Sequence, residues 1–435
     1  MPIYFVSCVR SAVWNLRNRF TGFILSLRRC LPDWGFVVAP MLFLFLAAGV
    51  TAAQSHAASQ SAPAGSFARL SAQADAARDS DRLDEALLLY KQALVLRPAW
   101  TEGWWSMGTI SYDQNSYAEA ARAFQRVTQL AHGNGTAYVM LGLSEFELGR
   151  DDLALKHIDK GAGLGLDTNP KLRHVALYHQ GVLLQRQGRF QAARETLEQL
   201  CLQGVRSDEV ATALGMTLLR DRGRTSPPAG STDAEIVGRV GHAGCLSGQK
   251  KFDEARMALT TLAGQYPKYS GIHYAFGLIL VEASDLPAAI AQFKQEIENN
   301  PADVISRLQI ATATYKTDSA AGIPYAEEAV KLAPQQPFAH YLLGMLLLDT
   351  DDYQKAIPEL EIAQKAFPRE TRVYLALGSA YSRAGRKQDA VRARAEFQRL
   401  TEEGKPGTGA EPEAGSADSA KIPLRDLPSP NSPQR

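Results

Sequence analysis

The sequence predicts an all-α fold: a right-handed α-solenoid of stacked antiparallel helix pairs. Amphipathic stretches of about 14 residues, with apolar residues at helical spacing, recur along the chain. Proline closes several of them at a common interval, with Pro267 to Pro301 and Pro334 to Pro368 both 34 residues apart. Small residues fall in fixed columns of the resulting unit. One helix pair cannot bury its apolar face alone, whereas stacked copies share a continuous core.

Nine units begin at Phe67, Thr101, Gly135, His174, Ile236, Ser270, Val304, Pro337 and Thr371, the one from Val304 being a residue short in its internal turn. Position 8 holds Ala74, Gly108, Gly142, Gly181, Ala243, Gly277, Ala311, Gly344 and Gly378. Position 20 holds Ala86, Ala120, Ala154, Ala193, Ala255, Ala289, Gly322, Ala356 and Ala390. Position 24 is mostly large, as in Tyr90, Phe124, Ile158 and Phe293. Small residues at 8 and 20 let paired helices approach, and the bulky residue fills the space beside them. Proline at position 32 stops the second helix. Pairs such as Asn115-Ser116, Gly149-Arg150, Gly188-Arg189 and Gly385-Arg386 mark the turn inside a unit.

In chain order, residues 1–53 are an export signal or a membrane anchor. Arg10, Arg17, Arg19, Arg28 and Arg29 precede an uncharged stretch from Trp34 to Ala53 that ends in small residues. That order suits a cleaved signal. The length also suits a span through residues 35–53, with the basic flank cytoplasmic. Residues 54–66 form a flexible Ala/Ser/Gln-rich linker. Residues 67–207 hold four units. Residues 208–235 are a degenerate half-unit and loop, because Leu214-Gly215 fits positions 7 and 8 but no second helix follows; a kink or soft joint is expected there. Residues 236–404 hold five units. Residues 405–435, in a stretch rich in Pro and Gly, form a disordered tail.

The 435 residues carry 47 Lys and Arg against 46 Asp and Glu, a net charge of +1. Residues 1–53 contribute five Arg and one Asp, leaving the remainder slightly acidic. A nucleic-acid partner is therefore excluded. No HExxH, CxxC or phosphate-binding loop occurs, so no catalytic, cofactor-binding or metal site is assigned and the chain is read as no enzyme. Gly161 to Gly165 reads as a helix end. His174 and His179 are off a common helical face. His273 and His340, both at position 4, read as packing residues. The acidic turns Asp79-Ser-Asp81 and Asp349-Thr-Asp351-Asp352 suit N-caps of second helices. Cys201 and Cys245 either pair across the irregular joint or remain two buried thiols, and the latter is favoured.

Trp104, Met107-Gly108, Tyr117, Ala120 and Phe124 together resemble the tetratricopeptide repeat, as do Tyr374, Leu377-Gly378, Tyr381 and Ala390. The resemblance covers residues 67–404 and implies a scaffold that binds other proteins, here of the exported bacterial type. It places the partner groove on the first helix of each pair, at positions 2, 5, 9, 12 and 13. Those positions supply Trp105, Tyr112, Phe146, Tyr178, Tyr274, Tyr315, Phe338 and Tyr341, with Glu102, Asp113, Glu147, Arg186, Glu282, Lys316, Asp349, Arg372 and Arg383 among the charges. A peptide or partner helix would lie along this lining. The alternative is a glycan- or peptidoglycan-associated factor stacking sugars on Tyr274 and Tyr341. Members of the family that clamp a chaperone C-terminus use Lys at position 5 and Asn at 6 and 9; no position 5 here is Lys. The expected location is periplasmic or otherwise extracytoplasmic, with anchoring in the inner membrane as the alternative.

Overall fold

The computed structural model describes residues 62–166, 170–205, 207–223 and 225–403. The expected export segment, most of the linker and the tail lie outside them. The linker's last residues, from Ala62, open the first helix. Nineteen helices and no strand occur among the described residues. They fall into two compact units that part between Leu183 and Leu184.

The first unit contains α1 (Ala62–Asp79), α2 (Leu83–Leu96), α3 (Thr101–Asp113), α4 (Tyr117–Leu130), α5 (Gly135–Glu147), α6 (Asp151–Gly163) and most of α7 (Pro170–Arg186). The second contains the end of α7 and α8 (Phe190–Leu202), α9 (Asp208–Leu218), α10 (Thr232–Gly248), α11 (Phe252–Gln265), α12 (Ile272–Glu282) and α13 (Leu286–Asn299). It continues through α14 (Val304–Thr314), α15 (Ser319–Leu332), α16 (Pro337–Asp349), α17 (Tyr353–Ala366), α18 (Thr371–Arg383) and α19 (Lys387–Glu403). Consecutive helices pack on one another from α1 to α6 in the first unit and from α8 to α19 in the second.

The small-residue columns sit at the helix crossings. A Cβ added at Gly108 would lie 2.7 Å from the Phe124 ring, and at Gly277 2.4 Å from Phe293. At Gly344 it would lie 2.6 Å from Leu360. Position 8 therefore faces position 24 of its own pair. Tyr90, Phe124, Ile158, Leu197, Leu259, Phe293 and Leu360 are all fully buried there, as are Ala120 and Ala289 of column 20. Helix α16 is apolar on every side, with Phe338 to Leu348 buried between α15, α17 and the neighbouring first helices.

The junctions between pairs are held by a bond the sequence did not disclose. Trp104 Nε1 donates to the Pro98 carbonyl at 2.8 Å, and the Tyr374 hydroxyl to Pro368 at 2.9 Å. His273 Nε2 and His340 Nε2 lie 3.0 Å from the carbonyls of Pro267 and Pro334. A carbonyl only accepts, so both Nε2 atoms carry the proton. The second ring nitrogen of each histidine meets its own pair's second helix, at Gln292 Oε1 (2.8 Å) and Glu359 Oε2 (2.5 Å). These histidines are junction donors, not mere packing residues.

Other expectations change in detail. Helix α9 is not left without a partner. Gly215 and Gly241 allow α9 and α10 to touch backbone to backbone, since a Cβ at either would fall within 2 Å of the facing carbonyl oxygen (1.9 Å and 1.7 Å). Cys201, ending α8, and Cys245, on α10, form a disulfide with Cα atoms 5.3 Å apart. The favoured reading as two thiols is thus overturned, because the α8–α10 packing brings the two Cα atoms within bridging range. Gly161 meets Gly135 across the α5–α6 crossing, and the helix ends two residues later at Gly163. Asp352 caps α17 through the Lys355 amide. Asp79 and Asp81 do not cap α2: Asp79 pairs with Arg78, and Asp81 takes the left-handed turn conformation (φ 59°).

Candidate binding face

Of the residues named for the groove, Tyr315, Lys316, Asp349 and Arg383 line one cavity in the second unit. Tyr315 and Lys316 just past α14, Met345, Leu348 and Asp349 of α16, Asp351 after it, and Ser379 and Arg383 of α18 line a cavity of about 280 Å³. The largely buried Met345, Leu348 and Tyr315 form part of its wall, and most of its open lining is polar. Its rim is charged and polar, from Lys316, Asp349, Asp351, Ser379 and Arg383.

The rim is cross-braced. Lys316 Nζ pairs with Asp349 Oδ1, and the Ser319 hydroxyl donates to Asp349 Oδ2 at 2.6 Å. Arg383 reaches Asp351 at 2.7 Å. Burial pushes the Asp349 carboxyl up, but the bonds from Lys316 and Ser319 and the nearby cations outweigh it and hold the group below the usual carboxylate range. The cavity therefore presents fixed charges of both signs on a mainly polar lining. Such a site suits a side chain of a bound peptide, whose backbone can exchange hydrogen bonds with the rim.

The predicted aromatic residues separate into two classes. Trp105, Tyr112, Phe146, Tyr178 and Tyr274 are half-buried. Trp105 meets Phe124 edge-on at 5.4 Å, Tyr112 meets Tyr117 at 5.4 Å, and His179 lies between Phe146 (4.7 Å) and Tyr178 (5.2 Å). Burial, then the charge of Glu147, pushes the Tyr112 hydroxyl well above the usual phenol range. Phe338, Tyr341 and Tyr315 are core residues, 1%, 0% and 5% exposed. Phe338 and Tyr341 cannot offer a ring to a partner, because the apolar surroundings of α16 close over both. The Tyr341 hydroxyl is buried without a hydrogen-bond partner, and burial pushes it up to about 12. One face of Tyr274 is taken by the Arg220 guanidinium, 5.5 Å from the ring centroid.

Searching the lining for aromatic residues missed what makes the cavity. Met345, Leu348, Asp351 and Ser379 carry no aromatic signal, and Ser319 lies on a second helix. Reading columns 9, 12 and 13 for every residue type finds three of them; Asp351 and Ser319 follow only from the fold.

Comparison with protein-family profiles agrees with this architecture. The profile of the tetratricopeptide repeat family matches residues 71–131, 106–165, 246–304, 313–368 and 341–408, and a second profile of that family matches residues 175–203. These matches cover more than half of the chain. This chain is a tetratricopeptide repeat protein. Repeat arrays of this kind are scaffolds that bind other proteins. Among curated relatives, human protein O-mannosyl-transferase TMTC3 is 28% identical over 122 residues, 28% of this chain and 13% of that protein. Superkiller protein 3 of Schizosaccharomyces pombe is 26% identical over 139 residues, 29% of this chain and 10% of that protein. This repeat protein thus spans about a tenth of the length of the curated relatives it matches. Among solved structures, a crystal structure of MamA is 20% identical, with a TM-score of 0.35 over 37% of this chain and 95% of that one.

Proposed function

We propose that this repeat protein is a non-enzymatic scaffold of the bacterial cell envelope that holds a peptide or partner helix along its first-helix face. The cavity between α14, α16 and α18 carries the reading: successive first helices supply it, and its mainly polar lining is braced by ion pairs. Affinity then comes from contact area and ordered rim groups, without a reacting group.

An extracytoplasmic location is part of the proposal. The order of charge and apolar residues in residues 1–53 supports it, and so does the Cys201–Cys245 disulfide, a linkage favoured in oxidising compartments. No described helix is long and apolar enough to cross a membrane, and residues 35–53 lie outside the described ones. Sugar stacking is not favoured: Tyr341 is buried, and Arg220 covers one face of Tyr274.

The test is capture from an envelope fraction by the purified chain, compared with its Ser379→Trp form. An indole at that position fills the cavity without touching the core columns. Captured proteins should be lost with Ser379→Trp while the helical circular dichroism signal is unchanged. Equal capture by both forms refutes the assignment of the cavity.

A further inference from the structure

Helix α9 ends at Leu218, and the loop after it carries Arg220 and Arg222. We infer that these two arginines form an anchor for carboxylate side chains of an acidic peptide segment. The inference rests on the reading of this protein as a peptide scaffold and names the chemistry of the peptide.

The two guanidinium groups lie near uncharged rings, at the outer part of the cation–π range. Arg220 lies 5.5 Å from the ring centroids of both Phe190 and Tyr274, and Arg222 lies 5.9 Å from that of Phe190. Gly188 makes room for the second: a Cβ there would lie 2.4 Å from Arg222 Nε. The loop is pinned from below by Gln185, only 2% exposed, whose Nε2 donates to the Asp221 carbonyl and lies 3.4 Å from that of Gly223. The Asp221 carboxylate accepts the Gly223 amide at 2.7 Å and forms no ion pair with either arginine.

Several other arginines of this unit are neutralised, whereas Arg189 and Arg394 form no ion pair among the described residues. Arg194 pairs with Glu282, Arg256 with Asp285, Arg307 with Glu328 and Arg383 with Asp351. Among the described residues, Arg220 and Arg222 form no ion pair. A guanidinium beside an aromatic ring and without an ion pair keeps its N–H edge open, and that edge matches a carboxylate in a two-bond fork. Preorganisation by Phe190, Tyr274 and Gln185 lowers the ordering cost on binding. Arg220 also stands in the groove register, at position 13 when Gly215 is placed at position 8. The half-unit that lacks its own second helix thus contributes a cation to the binding face.

The experiment uses a fluorescein-labelled, C-terminally amidated peptide containing four glutamates, and its glutamine counterpart. Binding to the full chain is read by anisotropy at two salt concentrations. The glutamate peptide should bind roughly tenfold tighter than the glutamine one, and the preference should shrink at high salt. The Arg220→Gln/Arg222→Gln protein should lose the preference, and Arg220→Lys/Arg222→Lys should keep part of it. Equal binding of the two peptides, abolished by Ser379→Trp, overturns the arginine site and leaves the groove reading standing. A preference unchanged in the double glutamine variant also overturns it. So does arginine-dependent binding to phosphatidylglycerol vesicles by a protein that ignores the acidic peptide.

Discussion

Glu198 shows how much a single side chain can depend on its surroundings. It lies on α8, largely buried, with Arg194 Nε 3.9 Å away. Arg194 gives its closer contact to Glu282, which also accepts the Ser247 hydroxyl at 2.5 Å. Two carboxylates thus share one guanidinium. Burial, with the like charges of Glu282 and Glu195, outweighs Arg194 and Lys250 and pushes the Glu198 carboxyl up to about 7. The folded chain binds this proton more tightly than the unfolded one. Its contribution to stability is therefore full below the ordinary glutamate range and lost as pH rises to about 7. Between pH 5 and pH 8, urea unfolding of the wild type should lose on the order of 1–3 kcal/mol from this group. Glu198→Gln should flatten that slope; a variant with the wild-type slope would place the titration elsewhere. The sequence offers no sign of this, since Glu198 reads as an ordinary residue of a second helix.

At the scale of the helix pair, the crossing decides which small residue is obligatory. A Cβ at Gly277 would strike the buried Phe293 ring at 2.4 Å, and that ring is hemmed in on all sides. Gly277→Ala should destabilise the protein by about 1–3 kcal/mol through overpacking. At Gly378 the nearest atom is Arg394 Cγ at 3.3 Å, on a side chain free to move. Gly378→Ala should leave stability unchanged or raise it by up to about 1 kcal/mol, because alanine is the better helix former. Thermal melts of the two variants separate the cases, and equal losses would refute the crossing geometry. Both glycines occupy the same column, so periodicity located them without ranking them. The ranking comes from position 24, where Phe293 fills one pair and Arg394 lies beside the other. The junction donors Trp104, His273, His340 and Tyr374 were equally hidden, because four residue types share one bond and no single-letter pattern records it.

For the whole molecule, the irregular half-unit proves to be a stapled part of the second unit. The Cys201–Cys245 disulfide closes a loop over a sequence separation of 44, containing α9 and the loop with Arg220 and Arg222. Closing a loop of that size is worth about 4 kcal/mol of unfolded-state entropy as an upper estimate. Cys201→Ser/Cys245→Ser, or reduction of the wild type, should lower the urea midpoint accordingly. Alkylation before and after reductant, read by intact mass, should label these two cysteines only after reduction. Labelling without reductant would refute the linkage.

The sequence by itself determined the repeat, its helix pairs, its small-residue columns and the family, because each rests on local periodicity repeated many times over. Its groove positions include several residues of the cavity in the second unit, but not Asp351. Only the tertiary structure decided which aromatic residues there are open and which are core: α16 is apolar all round, so helical phase cannot separate Tyr341 from a groove residue. Tertiary packing likewise joined Cys201 to Cys245 and set Arg220 against Phe190 and Tyr274. Those contacts bring together residues from different helices around a break in the repeat, where periodicity carries no information.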